Sequence, residues 1–483
     1  MNVSYKVSTT AECSNRFYDK TQQLLLDETH FNTISSGCNI LEKDNLENFG
    51  DLFLETWINN DVLKLHKLIK MIASETLILN DDHSETNDSL ADIAMNKEIP
   101  QTLIEIISIV DNSLTDSIIE YLEQSQDLIC DAFLALSKMF YFSNKILNDF
   151  GGNVIDVVRL NFSEYSPNAR IAALNLLTVV FRENSMIIKL CLSGQRKFIK
   201  NLSKMVEKSN DSDFNCAVVE LSNQIIRNAV NNKLKDVEYL TAVLPCFYHI
   251  FINSLQKNEF LIDCYSGLFY LMFLQPQYIL VEFTEGFTLS AFKYEHEFIK
   301  YYLLQILKLI YCYFPEERLI IFHQQIDFSF LNNCIEINQI LAYSLASLVW
   351  TIIDRGEYFI QGLIEFHIFE HLYDIFINSS FEIKNMILQD FSLAIIKSNL
   401  DQLNYYFTFN MDLILFESMT LIDSLSLCLD SIKIVADNFP QRVKVPELIE
   451  SVEAIVPEDE LTKDKIAYIL SIATNESLEE NFE

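Results

Sequence analysis

His367-Ile368-Phe369-Glu370-His371 sets two imidazoles four residues apart with a carboxylate just before the second. On a helix the two His share a face, so they could hold a zinc ion while the Glu draws a proton from its bound water, the chemistry of peptide hydrolysis. Glu447 or Glu450 could supply a third ligand. Against this, five residues with three fixed arise readily by accident in a chain with eight His, and Phe369 and Leu372 fill the apolar slots of an ordinary amphipathic helix. No GxxxxGKS/T, GxGxxG or GxSxG occurs, and no Cys or Ser has a His at a suggestive spacing. No catalytic residue, metal or cofactor is expected.

The elements that would have to position such a site follow one pattern. It begins at Asp127, Asn168, Asp213, Glu259, Glu297, Glu336 and Glu382, with intervals of 38 to 46 residues. The next residue is always apolar: Leu128, Ala169, Phe214, Phe260, Phe298, Ile337 and Ile383. Five places after each start stand Ala132, Ala173, Val218, Cys264, Tyr302, Leu341 and Ile387; twelve places after stand Met139, Val180, Ile225, Leu271, Leu309, Leu348 and Ala394. At 100° per residue, positions one, five, nine, twelve and thirteen form one broad helical face. The acid or Asn in front is expected to accept from free backbone N–H groups at the helix start. A helical unit repeated at about 42 residues falls in the armadillo/HEAT range.

Composition agrees with long, apolar helices: nine Gly and eight Pro against 36 Phe and 21 Tyr. The 68 acids exceed the 35 bases by 33, so electrostatics oppose nucleic acid and anionic membranes and attract a basic partner segment, while also keeping a Phe-rich surface in solution. Ten Cys without a close CxxC pair, several inside the repeat helices, fit a reducing compartment. Met1 to Arg16 has no signal-peptide core. The expected location is the cytoplasm, with the nucleus also open to the chain. Two uncharged stretches, Cys264 to Val281 and Ile337 to Ile353, read as buried repeat helices because Gln275, Pro276 and Gln277 break the first and Asn338, Gln339, Ser344 and Ser347 punctuate the second.

Residues 1–95 read as a helical N-terminal cap, with Leu46, Phe49, Phe53 and Trp57 at helical spacing, followed by an acidic loop from Asp81 to Asp92. About seven to eight repeats occupy 96–440. Residues 441–483 read as an acidic C-terminal cap of two short helices separated by Pro457, with a loose tail from Asn475.

One unit carries a resemblance. Phe150-Gly151-Gly152 precedes an apolar run from Val154 to Phe162, then Ser166-Pro167-Asn168-Ala169-Arg170, then Ala172-Ala173-Leu174-Asn175-Leu176-Leu177. This resembles an armadillo repeat, in which a Gly pair opens the second helix, a Pro turn follows, and an Ala-rich third helix ends the unit. The next unit keeps Gly194, Phe198, Leu202 and Met205, and Gly286 stands where another would open. The resemblance implies an all-α fold, a right-handed α-solenoid of armadillo/HEAT-like repeats, whose third helices line a concave groove.

Residues facing that groove lie opposite the apolar face, at positions seven, eleven and fourteen. Position fourteen holds Tyr141, Arg182, Arg227, Phe273, Tyr311, Trp350 and Ile396, rich in the residue types that carry interface energy. Asn175, Glu220, Gln224, Ser266 and Tyr343 would surround them with polar ends suited to an extended peptide. The other reading places position fourteen in the core between units. The resemblance implies a non-enzymatic, monomeric scaffold or adaptor that binds a protein or peptide along the groove. A nuclear transport adaptor of importin-alpha type or a chaperone cofactor is the alternative. Importin alpha grips basic peptides with a Trp followed four residues later by Asn; here Trp57 and Trp350 are followed by Asp61 and Asp354, and Asn223 has Val219 where Trp belongs. The HxxEH spelling is similar to that of inverzincin zinc peptidases, which need an α/β framework that these repeats do not supply.

Overall fold

The computed structural model describes residues 43–74, 92–108, 121, 127–183, 196–231, 241–257, 260–276, 296–332, 338–419, 425–457 and 459–474. Among them there are helices and turns and no strand. The starts Glu259 and Glu336, the glycines Gly194 and Gly286, and the stretches 1–42, 75–91 and 475–483 lie outside the described residues. The chain forms two compact units, Met1–Leu274 and Gln275–Glu483.

The first unit contains α1 (Lys43–Ile58), α2 (Val62–Ser74), α3 (Ile99–Ile107), α4 (Asp127–Phe142), α5 (Asn144–Asn161), α6 (Pro167–Glu183), α7 (Arg196–Lys208), α8 (Ser212–Asn231), α9 (Leu244–Gln256) and α10 (Leu261–Leu274). Helices α2, α4, α6, α8 and α10 pack each against the next as an inner row. An outer row runs α1, α3, α5, with α7 against α9 beyond it. The second unit contains α11 (Glu297–Tyr313), α12 (Glu316–Gln325), α13 (Ser329–Asn332), α14 (Gln339–Asp354), α15 (Glu357–Glu365), α16 (Ile368–Asn378), α17 (Phe381–Lys397), α18 (Leu400–Thr408), α19 (Met411–Ser418), α20 (Leu425–Asn438), α21 (Pro446–Glu453) and α22 (Glu460–Ala473). Its inner row is α11, α14, α17, α20 and α22, and α12, α15 and α18 stack outside it.

The apolar columns are the core. All seven residues at position five and all seven at position twelve are buried, and so are Phe140, Phe181, Ile226, Met272, Ile310, Val349 and Ile395 at position thirteen. Neighbouring units are also tied by polar side chains. His66 bridges Tyr121 (3.0 Å) and Asp131 (2.7 Å), joining α2 to α4. Asn399 and Gln402 close a capping box on α18 while Gln402 Nε2 donates to the Glu357 carbonyl at the start of α15. Burial of the periodic face does the main work; these bonds fix which unit meets which.

Two expectations are corrected. The starting acids are not the caps. Ser166 accepts from Ala169 N, Asp211 from Asp213 N and Phe214 N, and His296 from Phe298 N, caps that precede their starts by one or two residues, whereas Asn338, which accepts from Ile340 N, follows its start by two. Asp127, Asp213, Glu297 and Glu382 sit inside the first turn, where they still complement the positive helix end. Nor does Gly151-Gly152 open a helix: α5 runs unbroken through it from the Ser143 cap to Asn161, so in this unit the first two helices are fused.

A Cβ at Gly152 would meet nothing within 4 Å, and the residue is exposed in mid-helix. Gly152→Ala is expected to stabilise by about 0.5–1 kcal/mol, seen as a higher urea midpoint at unchanged slope. At Gly267 the added Cβ would lie 2.2 Å from the Phe251 ring, where α9 and α10 approach most closely, so there Ala would be excluded by sterics.

Candidate functional site: the inner helical face

The inner row of the first unit opens a cleft of about 540 Å³ across three successive helices. It is lined by Asp127, Cys130 and Leu134 of α4, Asn168, Ile171 and Asn175 of α6, and Asp213, Cys216 and Glu220 of α8. Corresponding positions of the three helices therefore lie side by side, and the helices run parallel. Leu134 is 42% exposed and Asn175 is exposed, while Glu220 is half-buried. With inner helices 8–10 Å apart, the face from α4 to α10 spans roughly 25–30 Å, the reach of about nine extended residues.

The cleft is acidic. Asp127 and Asp213 offset helix N-termini, but Glu220 lies two turns further along α8 and has no such role. Burial, and then the neighbouring Asp263 carboxylate, push the Glu220 carboxyl above the usual carboxylate range; a hydrogen bond from Cys216 Sγ (3.5 Å) acts the other way. The same environment pushes the Cys216 thiol up to about 12, through burial and then Glu220, and the Cys130 thiol up to about 11, through burial and then Asp127. At neutral pH both thiols keep their protons and are poor nucleophiles.

At the other end of these helices stand the position-fourteen residues. Tyr141, Arg182, Arg227 and Phe273 are half-buried. The Arg182 guanidinium lies 5.7 Å from the Tyr141 ring centre, and Asn228 Nδ2 donates to the Arg182 carbonyl, so consecutive rungs touch. The inner face thus runs from acidic at the helix starts to cationic and aromatic at their ends. Gln224 is half-buried beside this gradient. Ser266 is buried and donates to Asn223 Oδ1 (3.2 Å), and Asn223 Nδ2 donates to Asp263 (3.2 Å). Ser266 and Asn223 therefore tie α8 to α10 instead of meeting a partner.

In the second unit the column divides. Trp350, Tyr343 and Ile396 are half-buried, but Tyr311 is 0% exposed. Its hydroxyl meets His323 Nδ1 at 2.7 Å, and Phe322 and Phe359 pack edge-on against its ring. Tyr311 is a core residue and is removed from the groove set. A helical wheel of α11 alone cannot show this, because the cover comes from α12 and α15. His323 in turn is pushed down to about 4 by burial. Between the rungs of this unit Gln305 donates to Ser344 and Lys308 to Ser347.

The HxxEH residues have structural employment. His367 caps α16 in the left-handed region (φ 58°), at the corner between α15 and α16. Asn410 turns the corner between α18 and α19 in the same conformation (φ 61°). His367 Nδ1 meets Glu370 Oε1 at 3.0 Å, and Tyr405 donates to Glu370 Oε2. Phe369 and Leu372 are buried. His367 thus lies before the helix proper, out of register with His371, and Glu370 is committed to its neighbours. Among the described residues no group of His, Cys, Asp and Glu is arranged to hold a metal, and no helix is long and apolar enough to cross a membrane.

No protein-family model matches the chain, and no curated protein sequence matches it. Solved structures do. A crystal structure of an engineered protein superposes with a TM-score of 0.67 at 11% identity, covering 89% of this chain and all of that one. A chain from a study of the phosphorylation switch that controls the interaction between cadherin and β-catenin superposes with a TM-score of 0.56 at 9% identity, covering 90% of this chain and 89% of that one. The fold is an armadillo/HEAT-type α-solenoid. In the second unit of the solenoid the three-helix armadillo unit is explicit, as α15–α16–α17 and α18–α19–α20. The karyopherin Kap121p bound to the SUMO protease Ulp1p also matches, covering 97% of this chain and 52% of its own at 14% identity, but its TM-score of 0.39 is too low to argue from.

Proposed function

We propose that the protein is a non-enzymatic scaffold or adaptor that binds an extended, basic segment of a partner protein along the inner face of its first unit. The observation that carries this reading is the acidic cleft shared by α4, α6 and α8, in which Glu220 carries charge that no helix end requires. A Lys or Arg placed there would relieve the repulsion between Glu220 and Asp263. Asn175 would bond the peptide backbone, and Leu134 would cover its aliphatic stems. Arg182, Arg227, Tyr141 and Phe273 would hold flanking carbonyl or aromatic groups. A solenoid that offers one side chain per rung suits a strand that offers one every second residue. A chain of the same fold comes from a study of the interaction between cadherin and β-catenin. A transport adaptor would be a special case of this binding; the Asn223 that such an adaptor would use is occupied by Asp263 and Ser266.

The test is fluorescence anisotropy with a short, labelled, lysine-rich peptide. Wild-type protein is expected to bind it, and the double variant Asn175→Ala/Glu220→Gln to bind at least about tenfold more weakly with an unchanged melting curve. Because the Glu220 carboxyl is raised, it takes up its proton earlier than an ordinary Glu as pH falls. Affinity should therefore drop on going from neutral pH to about 5, and the Glu220→Gln protein should lose that part of the dependence. Equal affinity of wild type and variant would remove the cleft from the account.

A further inference from the structure

The first unit also carries a surface of the opposite sign. Along α7 the buried stripe is Phe198, Ile199, Leu202 and Val206. Arg196, Lys197, Lys200, Lys204 and Lys208 are all exposed and, at 100° per residue, fall within about 120° of one another. Five cations thus line about 18 Å of one helix, accompanied by a single acid, Glu207, in a chain with about twice as many acids as bases.

Among the described residues none of the five has a carboxylate within ion-pair distance, although Lys97, Lys145, Arg159 and Lys397 elsewhere each find one. The adjacent outer helix α9 has no charged residue at all and exposes His249; the cation that follows it, Lys257, donates to the Val206 and Ser209 carbonyls at the end of α7. Successive cations stand within one Debye length and repel. Arg196 and Lys197 also occupy the first turn, where the helix dipole disfavours positive charge. A merely solvated face would carry mixed signs with acids in that turn. This arrangement costs stability, and an anionic partner would recover it.

We infer that the exposed face of α7 is a docking surface for an extended acidic segment of a partner protein. The shape of the charge selects that occupant. The basic stripe is one helix wide on a chain of net charge -33, so the acidic remainder of the protein opposes a broad polyanion such as a duplex or a bilayer, whereas a single acidic strand can follow the stripe alone. At the stripe's far end lies a cleft of about 520 Å³ walled by Arg170, Asn201, Lys204, Lys208 and Ser209 and by one acid, Asp211, whose Oδ1 is taken by the Asp213 and Phe214 N–H groups; its three cations outnumber that acid. This surface lies on the outer row and is independent of the inner cleft.

The full-length protein would be titrated against a labelled peptide of alternating Glu and Asp, with a lysine-rich peptide, phosphatidylserine vesicles and duplex DNA as parallel probes. The expected result is binding of the acidic peptide that weakens with salt and falls at least tenfold in Arg196→Glu/Lys200→Glu/Lys204→Glu, with melting no lower than in the wild type, because the reversal relieves the repulsion along α7, and with lysine-rich peptide binding retained. Lys200→Arg/Lys204→Arg should keep wild-type affinity. The inference is overturned if the reversal leaves acidic-peptide binding intact, if the acidic peptide does not bind, if vesicles or DNA bind more tightly than the peptide through the same residues, or if the reversal instead abolishes self-association of the chain.

Discussion

Arg442→Ala is expected to cost the second unit about 3 kcal/mol or more, seen as a lower urea midpoint and a lower Tm. Asp412 near the start of α19 has a fully buried side chain, and its two oxygens accept from Arg442 Nε at 2.6 Å and from its terminal nitrogen at 2.9 Å. The same guanidinium lies 4.4 Å from the centre of the Phe407 ring on α18, which packs on Phe439 after α20. One residue thus joins three successive elements, and its removal leaves a carboxylate in the interior without a counter-charge. The double variant Asp412→Leu/Arg442→Met, which leaves no orphan charge, should recover most of the loss; additive destabilisation would show that packing, and not the pair, was being measured.

Asp390→Asn should act in the opposite direction. Asp390 in the middle of α17 is 0% exposed, and neither carboxylate oxygen has a hydrogen-bond partner. The same register position carries Gln305 on α11 and Ser344 on α14, which bond to each other; Asp390 stands third in that row without such a bond. Burial pushes its carboxyl well above the usual range, so the folded protein holds it protonated. In the unfolded chain it ionises above about pH 4. The unfolded state then binds fewer protons, and stability falls as pH rises from about 4 toward the folded-state value, by up to about 1.4 kcal/mol per pH unit. Asn removes that penalty. Denaturation near pH 7 should show a higher urea midpoint for Asn than for Asp, a gain that shrinks toward zero near pH 4. A loss at neutral pH would mean that the carboxyl is bonded in the folded protein.

The parts of this architecture that the sequence makes legible are those governed by periodicity. Positions five and twelve were apolar in every repeat and are buried in every repeat, because a helix must hide the same angular sector each time it is stacked. Helix ends were less legible. An acid in the first turn and a cap just before it leave similar traces, and only the bonds to Ala169, Phe214 and Phe298 tell them apart. Gly151-Gly152 was misleading for a related reason: glycine lowers helix propensity, but Leu147, Val154, Ile155 and Val158 bury enough surface to carry α5 through it.

The candidate site was legible in direction but not in detail. Asn175 and Glu220 do face the cleft, whereas Tyr311 is sealed by His323, Phe322 and Phe359, residues supplied by other helices. Cys130, Ile171 and Cys216, three places after their starts, line the cleft and were missed. Their types, small or apolar, mimic core residues, although at 100° per residue position three falls beside positions seven and fourteen on the groove side. The basic face of α7 is legible in the spacing of its five cations.

Site-directed crosslinking would show whether the inner row of the first unit receives a basic polypeptide strand. A lysine-rich peptide bearing a photoreactive group would be bound to the wild-type protein and its crosslinks mapped by mass spectrometry. Attachment is expected within α4, α6 and α8, around Leu134, Asn175 and Glu220. Crosslinks confined to the outer helices α5, α7 and α9, or scattered without preference, would contradict it.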